Sequence, residues 1–189
     1  MSRRFYRRDP LEVAPELLNK LLVRGAMVAR IVEVEAYCGD RDPGSHAFRG
    51  RTPRNATMFG PPGRLYVYFT YGMHHCANVV CDEEGVAGAV LLRGLTPLAG
   101  LSEMRAGRPR ARHDADLCSG PGKLCQAFGL DRGLDGADLV AADRDVLVAD
   151  EGVPPPAEPA VSGRIGLSVA GDLPWRFYVP GAVGLSRLG

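Results

Sequence analysis

The chain has 189 residues and a formal net charge of +1, enough to bury a substantial core in one domain spanning residues 1–189. No apolar run approaches the roughly 20 residues that cross a bilayer, and no apolar stretch follows the basic MSRRFYRRDP, so a membrane span and a secretory signal are not expected and a cytoplasmic, nucleoid-associated location is. Lys20 and Lys123 are the only lysines, while arginines gather in FRGRTPRN and MRAGRPRAR and acids in DRGLDGADLVAADRDVLVADE, a separation that permits a basic face toward a polyanion; a general taste for Arg over Lys would look the same.

In chain order, Asp9-Pro10 and Ala14-Pro15 are helix-start signals, and PELLNKLL continues as a short amphipathic helix. AMVARIVEVEAY reads as a strand. CGDRDPGSHAFRGRTPRN is a polar loop of a length usually tied to function. RLYVYFT and MHHCANVV form a hairpin with Tyr71-Gly72 at its tip. GAVLLRGL is a further strand, PLAGLSEMRA a helix, and CSGPGKLCQAFGL a turn running into another helix. DVLVAD, GRIGLSV and WRFYVPG close the chain as strands, with VPPPAEPA as a stiff connector. Strands dominate with helices between them. The expected fold is α+β, with a mostly antiparallel curved sheet, a protruding β-hairpin and flanking helices.

Within RIVEVEAY, alternation puts Val32, Val34 and Ala36 on one face and Ile31, Glu33, Glu35 and Tyr37 on the other. Two carboxylates beside a ring fit either a solvated face or a site. In GAVLLRGL, Arg93 shares its face with Ala89, Leu91 and Leu95, and a guanidinium among apolar residues needs an anion. Glu33 or Glu35 is the natural partner, as a structural ion pair or as a pair holding a water; spacing leaves both open. Tyr66 and Tyr68 share a face. Tyr71, before Gly72, is set for exposure, and exposed aromatics can handle unstacked bases. His46 lies in the Arg-rich loop. SGPGK offers free N–H groups and Lys123 to a phosphate but lacks Walker A spacing. Cys38, Cys76, Cys81, Cys118 and Cys125 show no CxxC pair and no zinc spacing, and read as reduced core thiols. No metal or other cofactor is expected.

Together RIVEVEAY, the His46 loop with RTPRN, LYVYFTYGM, Asn78, VLLRGLTPLAG, LCSGPGKLCQA and RFYV resemble the alkyladenine (3-methyladenine) DNA glycosylase family, in order from Arg30 to Val179. The resemblance implies a monofunctional enzyme. It would flip alkylated or deaminated purines from duplex DNA and hydrolyse the N-glycosidic bond, leaving an abasic site in base-excision repair. It implies Glu35 as general base, holding the water with Arg93 and a main-chain carbonyl near Leu167. Tyr37, His46 and Tyr68 would hold the base, and Asn78 would disfavour guanine. Tyr71 would fill the gap in the stack, with Met73 and His74 in the minor groove. Arg51, Thr52, Arg54, Ser119, Gly120 and Lys123 would meet phosphates. The partner would be double-stranded DNA containing damaged bases, bound by a monomer. The chain departs from the pattern in three places: an aromatic is common where His74 stands, a serine where Gly122 stands, and the loop after Asn78 has a different length. A non-catalytic module for damaged bases, and a small-molecule hydrolase using Glu33 and Glu35, are the competing readings.

Overall fold

The computed structural model describes residues 1–186. A short helix α1 (Arg3–Tyr6) precedes α2 (Pro10–Leu17), and Asp9 caps α2 by accepting from Leu11 N–H. The strands are β1 (Leu21–Arg24), β2 (Met27–Tyr37), β3 (Leu65–Thr70), β4 (His74–Val80), β5 (Ala89–Ala99), β6 (Val146–Ala149), β7 (Ala160–Ser162) and β8 (Arg176–Tyr178). Two more helices, α3 (Leu101–Gly107) and α4 (Pro121–Phe128), lie between β5 and β6.

All strands join one curved antiparallel sheet in the order β3-β4-β5-β2-β1-β6, with β8 also paired to β2 and β7 to β8. This is the expected α+β class. The alternation of β3 sorts its residues: Leu65 and Val67 enter the main core with residues of α2, α3 and α4, whereas Tyr66 joins a second, smaller cluster with Ala47, Met58 and Val80. The second cluster supports the long loop between β2 and β3, which stands over the sheet face opposite the helices.

Several elements differ from expectation, each for a local reason. Helix α2 stops at Leu17: Asn19 adopts a φ of +66°, and Leu21 and Leu22 pair in β1 instead. Pro97–Ala99 extend β5 rather than starting a helix. The break comes at Gly100, with φ +71°, where an added Cβ would sit 2.7 Å from the Ala26 carbonyl oxygen. GRIGLSV is not a strand; it folds as an irregular segment with Gly166 at φ +82° and Ala170 at +54°. Finally, the β2–β5 pairing is irregular around Glu33, and Ile31 joins the same core cluster as Val34 and Ala36, so plain alternation fails there.

Candidate active site

The two longest strands, β2 and β5, carry the charged centre. Glu33 and Glu35 have no solvent exposure, and Arg93 bridges them. Its Nε donates to Glu33 Oε1 at 3.1 Å, and its Nη1 lies 3.3 Å from Glu35 Oε1. Glu33 is saturated with donors: Arg176 Nε at 2.7 Å and Ser186 Oγ at 2.7 Å reach Oε1, and Ser186 N–H reaches Oε2 at 2.6 Å. Burial would raise its pKa, but the Ser186 N–H, Arg176, the Ser186 hydroxyl and Arg93 outweigh burial and hold the carboxyl below its ordinary value. Glu35 goes the other way. Burial pushes its pKa up, against Arg93, an Ile165 N–H at 2.7 Å and the Tyr37 hydroxyl at 2.9 Å. The strand thus holds one fixed anion and one more basic carboxylate, a division that alternation alone left open.

Two adjoining clefts meet this centre. An inner cleft of about 50 Å³ is lined by Tyr37, His46, Tyr66, Tyr68, Asn78, Met58, Gly44 and Leu167. An outer cleft of about 290 Å³ shares Tyr37, His46, Tyr68 and Leu167 and adds Thr70, Tyr71, Arg93, Pro121 and Ile165. All three groups that touch Glu35 (Tyr37, Arg93 and Ile165) line this outer cleft. The His46 ring stands edge-on to Tyr68, with centroids 4.4 Å apart and planes at 77°. That spacing admits no ring between them, so Tyr37 is the ring left to face the pair. Burial, and then Arg54, lower the His46 pKa and keep the imidazole neutral. Burial raises the phenols of Tyr37 and Tyr68, and that of Tyr66 to about 12. The inner cleft is walled by flat rings and by no carboxylate, ammonium or guanidinium, whereas Arg93 lines the outer one. Buried Asn78 donates from Nδ2 to the Tyr66 carbonyl at 3.1 Å, fixing its amide at the cleft wall.

The loop that delivers His46 is built by two residues not singled out in sequence. Asp42, fully buried, accepts both Arg164 Nη atoms, at 2.6 and 2.7 Å, and also Cys38 and Gly44 N–H. Asn55 donates to the carbonyls of His46 at 2.8 Å and Gly50 at 3.0 Å, and accepts from Thr52 N–H. Arg164 lies over the Tyr37 ring at 4.7 Å and the Trp175 ring at 5.0 Å, covering one face of Tyr37.

The Methylpurine-DNA glycosylase (MPG) family model matches residues 4–183. The chain belongs to this family. It is 55% identical over 182 residues, 96% of this chain and 88% of the other, to a Burkholderia cenocepacia protein named "Putative 3-methyladenine DNA glycosylase". The same name is borne by a Streptomyces avermitilis protein at 49% identity, with 95% and 87% covered, and by a Methanocella arvoryzae protein at 45%, with 94% and 91% covered. The protein is therefore a DNA glycosylase, and DNA is its substrate.

In this glycosylase the hairpin β3–β4 carries Tyr71 at its tip, 78% exposed and with φ +52°. Met73 beside it is 66% exposed. His74 packs against Gly122 at the start of α4. Ser119 and Gly120 form the turn before α4, where Lys123 Nζ donates to Ser119 Oγ at 2.9 Å. That turn is fastened next to the charged centre, because Leu95 N–H donates to the Cys118 carbonyl and Ser119 bridges to Gly94, the residue after Arg93. Arg51, Thr52 and Arg54 are exposed in the loop, and Arg54 also lies over Tyr68 at 5.6 Å. The five cysteines are free and buried. No described helix of this glycosylase is long and apolar enough to cross a membrane.

Residues missed in sequence are Asp42, Asn55, Arg164, Arg176 and Ser186. Arg176 stood inside the RFYV stretch that carried the resemblance, and an arginine within an aromatic strand is the same signal that drew attention to Arg93. Near Leu167 it is the Ile165 N–H that the structure brings to Glu35.

Proposed function

We propose that this glycosylase flips alkylated or deaminated purines (the class of 3-methyladenine, 7-methylguanine, hypoxanthine and ethenoadenine) out of duplex DNA and hydrolyses the N-glycosidic bond with a water activated by Glu35. The observation that carries this reading is the buried, more basic Glu35 between Arg93 and Tyr37 behind an aromatic cleft.

The chemistry follows from charge. The bond between C1′ and the base nitrogen breaks with its electron pair going to the base, and the sugar gains oxocarbenium character. An ionised Glu35 stabilises that charge and takes a proton from the water whose oxygen bonds to C1′. Arg93, held by Glu33, keeps the water and the carboxylate in register. A base alkylated at N3 or N7 is cationic, leaves as a neutral molecule, and prefers flat electron-rich rings. Tyr37, His46 and Tyr68 supply those rings, and Asn78 stands where a guanine 2-amino group would clash. Removing a base from the stack costs a few kcal/mol, less at damaged pairs. Tyr71 entering the gap, with Met73 and His74 in the minor groove, offsets part of it. Arg51, Thr52, Arg54, Ser119, Gly120 and Lys123 hold phosphates without reading sequence. One flipped base needs one copy of the chain, so the working unit is a monomer.

The test is single-turnover release of hypoxanthine or 7-methylguanine from duplex DNA. The wild type frees the base and leaves an alkali-labile abasic site, and Glu35→Gln does not. Equal release by both proteins would remove Glu35 from the mechanism.

A further inference from the structure

Arg108 lies just after α3, where that helix docks on α4. The approach is close because Gly107 has no side chain: a Cβ there would lie 2.4 Å from the Gln126 carbonyl oxygen. The junction frames a cleft of about 410 Å³ walled by Gly107, Arg108, Pro109, Arg110 and Gln126. Arg108 Nη1 donates to Gln126 Oε1 at 3.1 Å, but its Nε is buried and has no hydrogen-bond partner. Among the described residues no carboxylate pairs with Arg108 or Arg110, while the neighbouring Arg105 is paired with Asp114. A buried guanidinium N–H without an acceptor is costly, and two guanidinium groups without a counter-ion at one cleft call for an anion.

The position indicates which anion. Gln126 follows Lys123 by three residues, so the two are neighbours on one face of α4, Lys123 half-buried and Gln126 exposed. Lys123 closes the turn that the proposed reading assigns to a phosphate. One turn further along the same helix, the cleft stands where a strand leaving that turn would continue. We infer that the Arg108–Arg110–Gln126 cleft is a second phosphate site, taking a backbone phosphodiester of the duplex that flanks the damaged base. This rests on the reading of Lys123 as a phosphate contact and extends the grip along α4.

The inference is tested by the salt dependence of binding, compared between a long duplex and one trimmed to the lesion and its immediate neighbours. Neutralising one phosphate-binding cation should flatten the plot of log K against log salt by about 0.9. Arg108→Gln and Arg110→Gln, which share one phosphate, are each expected to flatten it by part of that amount on the long duplex, and the double variant by the whole of it, with no change on the trimmed one, whereas Lys123→Gln flattens it on both. Arg110 makes no side-chain bond in the described structure, so its variant tests the site even where Arg108→Gln misfolds. Wild-type slopes for both arginine variants on the long duplex, with Lys123→Gln flattened, would overturn the second site alone. No flattening in any of these variants would overturn the phosphate assignment of the turn as well.

Discussion

The imidazole of His74 rests on the backbone of Gly122: a Cβ added at Gly122 would lie 3.1 Å from His74 Cγ and 3.2 Å from His74 Cβ. These are two of the positions at which the resemblance led us to expect another residue, and they touch. The contact joins the hairpin that bears Tyr71 to the turn that bears Ser119 and Lys123. A side chain at 122 would require the His74 ring to give by a few tenths of an ångström.

Gly122→Ser is accordingly expected to cost about 1–3 kcal/mol, the usual range for overpacking. The double variant Gly122→Ser with His74→Ala should recover about 1 kcal/mol of that loss, because contacting residues are non-additive. Urea unfolding of the four proteins in the cycle gives the coupling. Simple additivity would mean that the two residues do not act on each other.

The two glutamates should separate in opposite directions. Glu33→Gln takes the buried carboxylate from Arg176 and from one side of Arg93, and breaking a buried pair costs about 3–5 kcal/mol. Glu35→Gln removes a carboxylate that burial already disfavours, so it should leave stability near or above that of the wild type while abolishing base release. Denaturant midpoints together with single-turnover rates make the comparison. A stable Glu33→Gln protein would remove its role as anchor.

Catalysis should fail on the acid side earlier than an ordinary glutamate predicts. Burial lifts the Glu35 pKa above 4.5, and the base works ionised, so the rate falls as pH drops through that raised value. The acid limb for hypoxanthine release should therefore lie above pH 4.5. Linkage fixes the sign for stability too. Between the unfolded pKa and the raised native one, the native state binds more protons, so stability falls as pH rises through that window. Glu33, whose pKa is depressed, contributes stability that is present above its unfolded pKa and lost as pH falls through the native one.

Tyr71 is expected to trade stability against capture. Its φ of +52° is a left-handed conformation that costs a non-glycine residue about 1–2 kcal/mol. Tyr71→Gly should raise the unfolding midpoint, while Tyr71→Ala, which keeps a Cβ, should not. Both should weaken binding to lesion-bearing duplex more than to undamaged duplex. Equal weakening on the two DNAs would rule out Tyr71 as the residue that fills the gap.

The sheet was legible because β2, β3, β4 and β5 are rich in β-branched and aromatic residues with clear alternation, and the hairpin tip because Tyr71-Gly72 interrupts it. Arg93 was legible as a charge in an apolar strand. What failed was whatever depends on residues far apart in sequence. The β2–β5 register shifts on both sides of Glu33, so parity misplaced Ile31. Glu33 itself had no meaning until Ser186 and Arg176 were brought to it. Asp42 and Arg164 pair across a separation of 122 residues, and nothing local marks either one. GRIGLSV carries the apolar residues of a strand, but its glycines and its Ile165 N–H serve the site instead.

The Ser186 contacts with Glu33 span 153 residues. On a ribosome adding about 5–20 residues per second, the anchor glutamate is made on the order of ten seconds before the serine that holds it. Strand β2 can pair early and β5 sets Glu35 opposite Leu91, but Glu33 lacks its Ser186 donors until residue 186 has been synthesised. The repair site is therefore a late product of translation, and a growing chain with most of its sheet formed still lacks the finished charged centre.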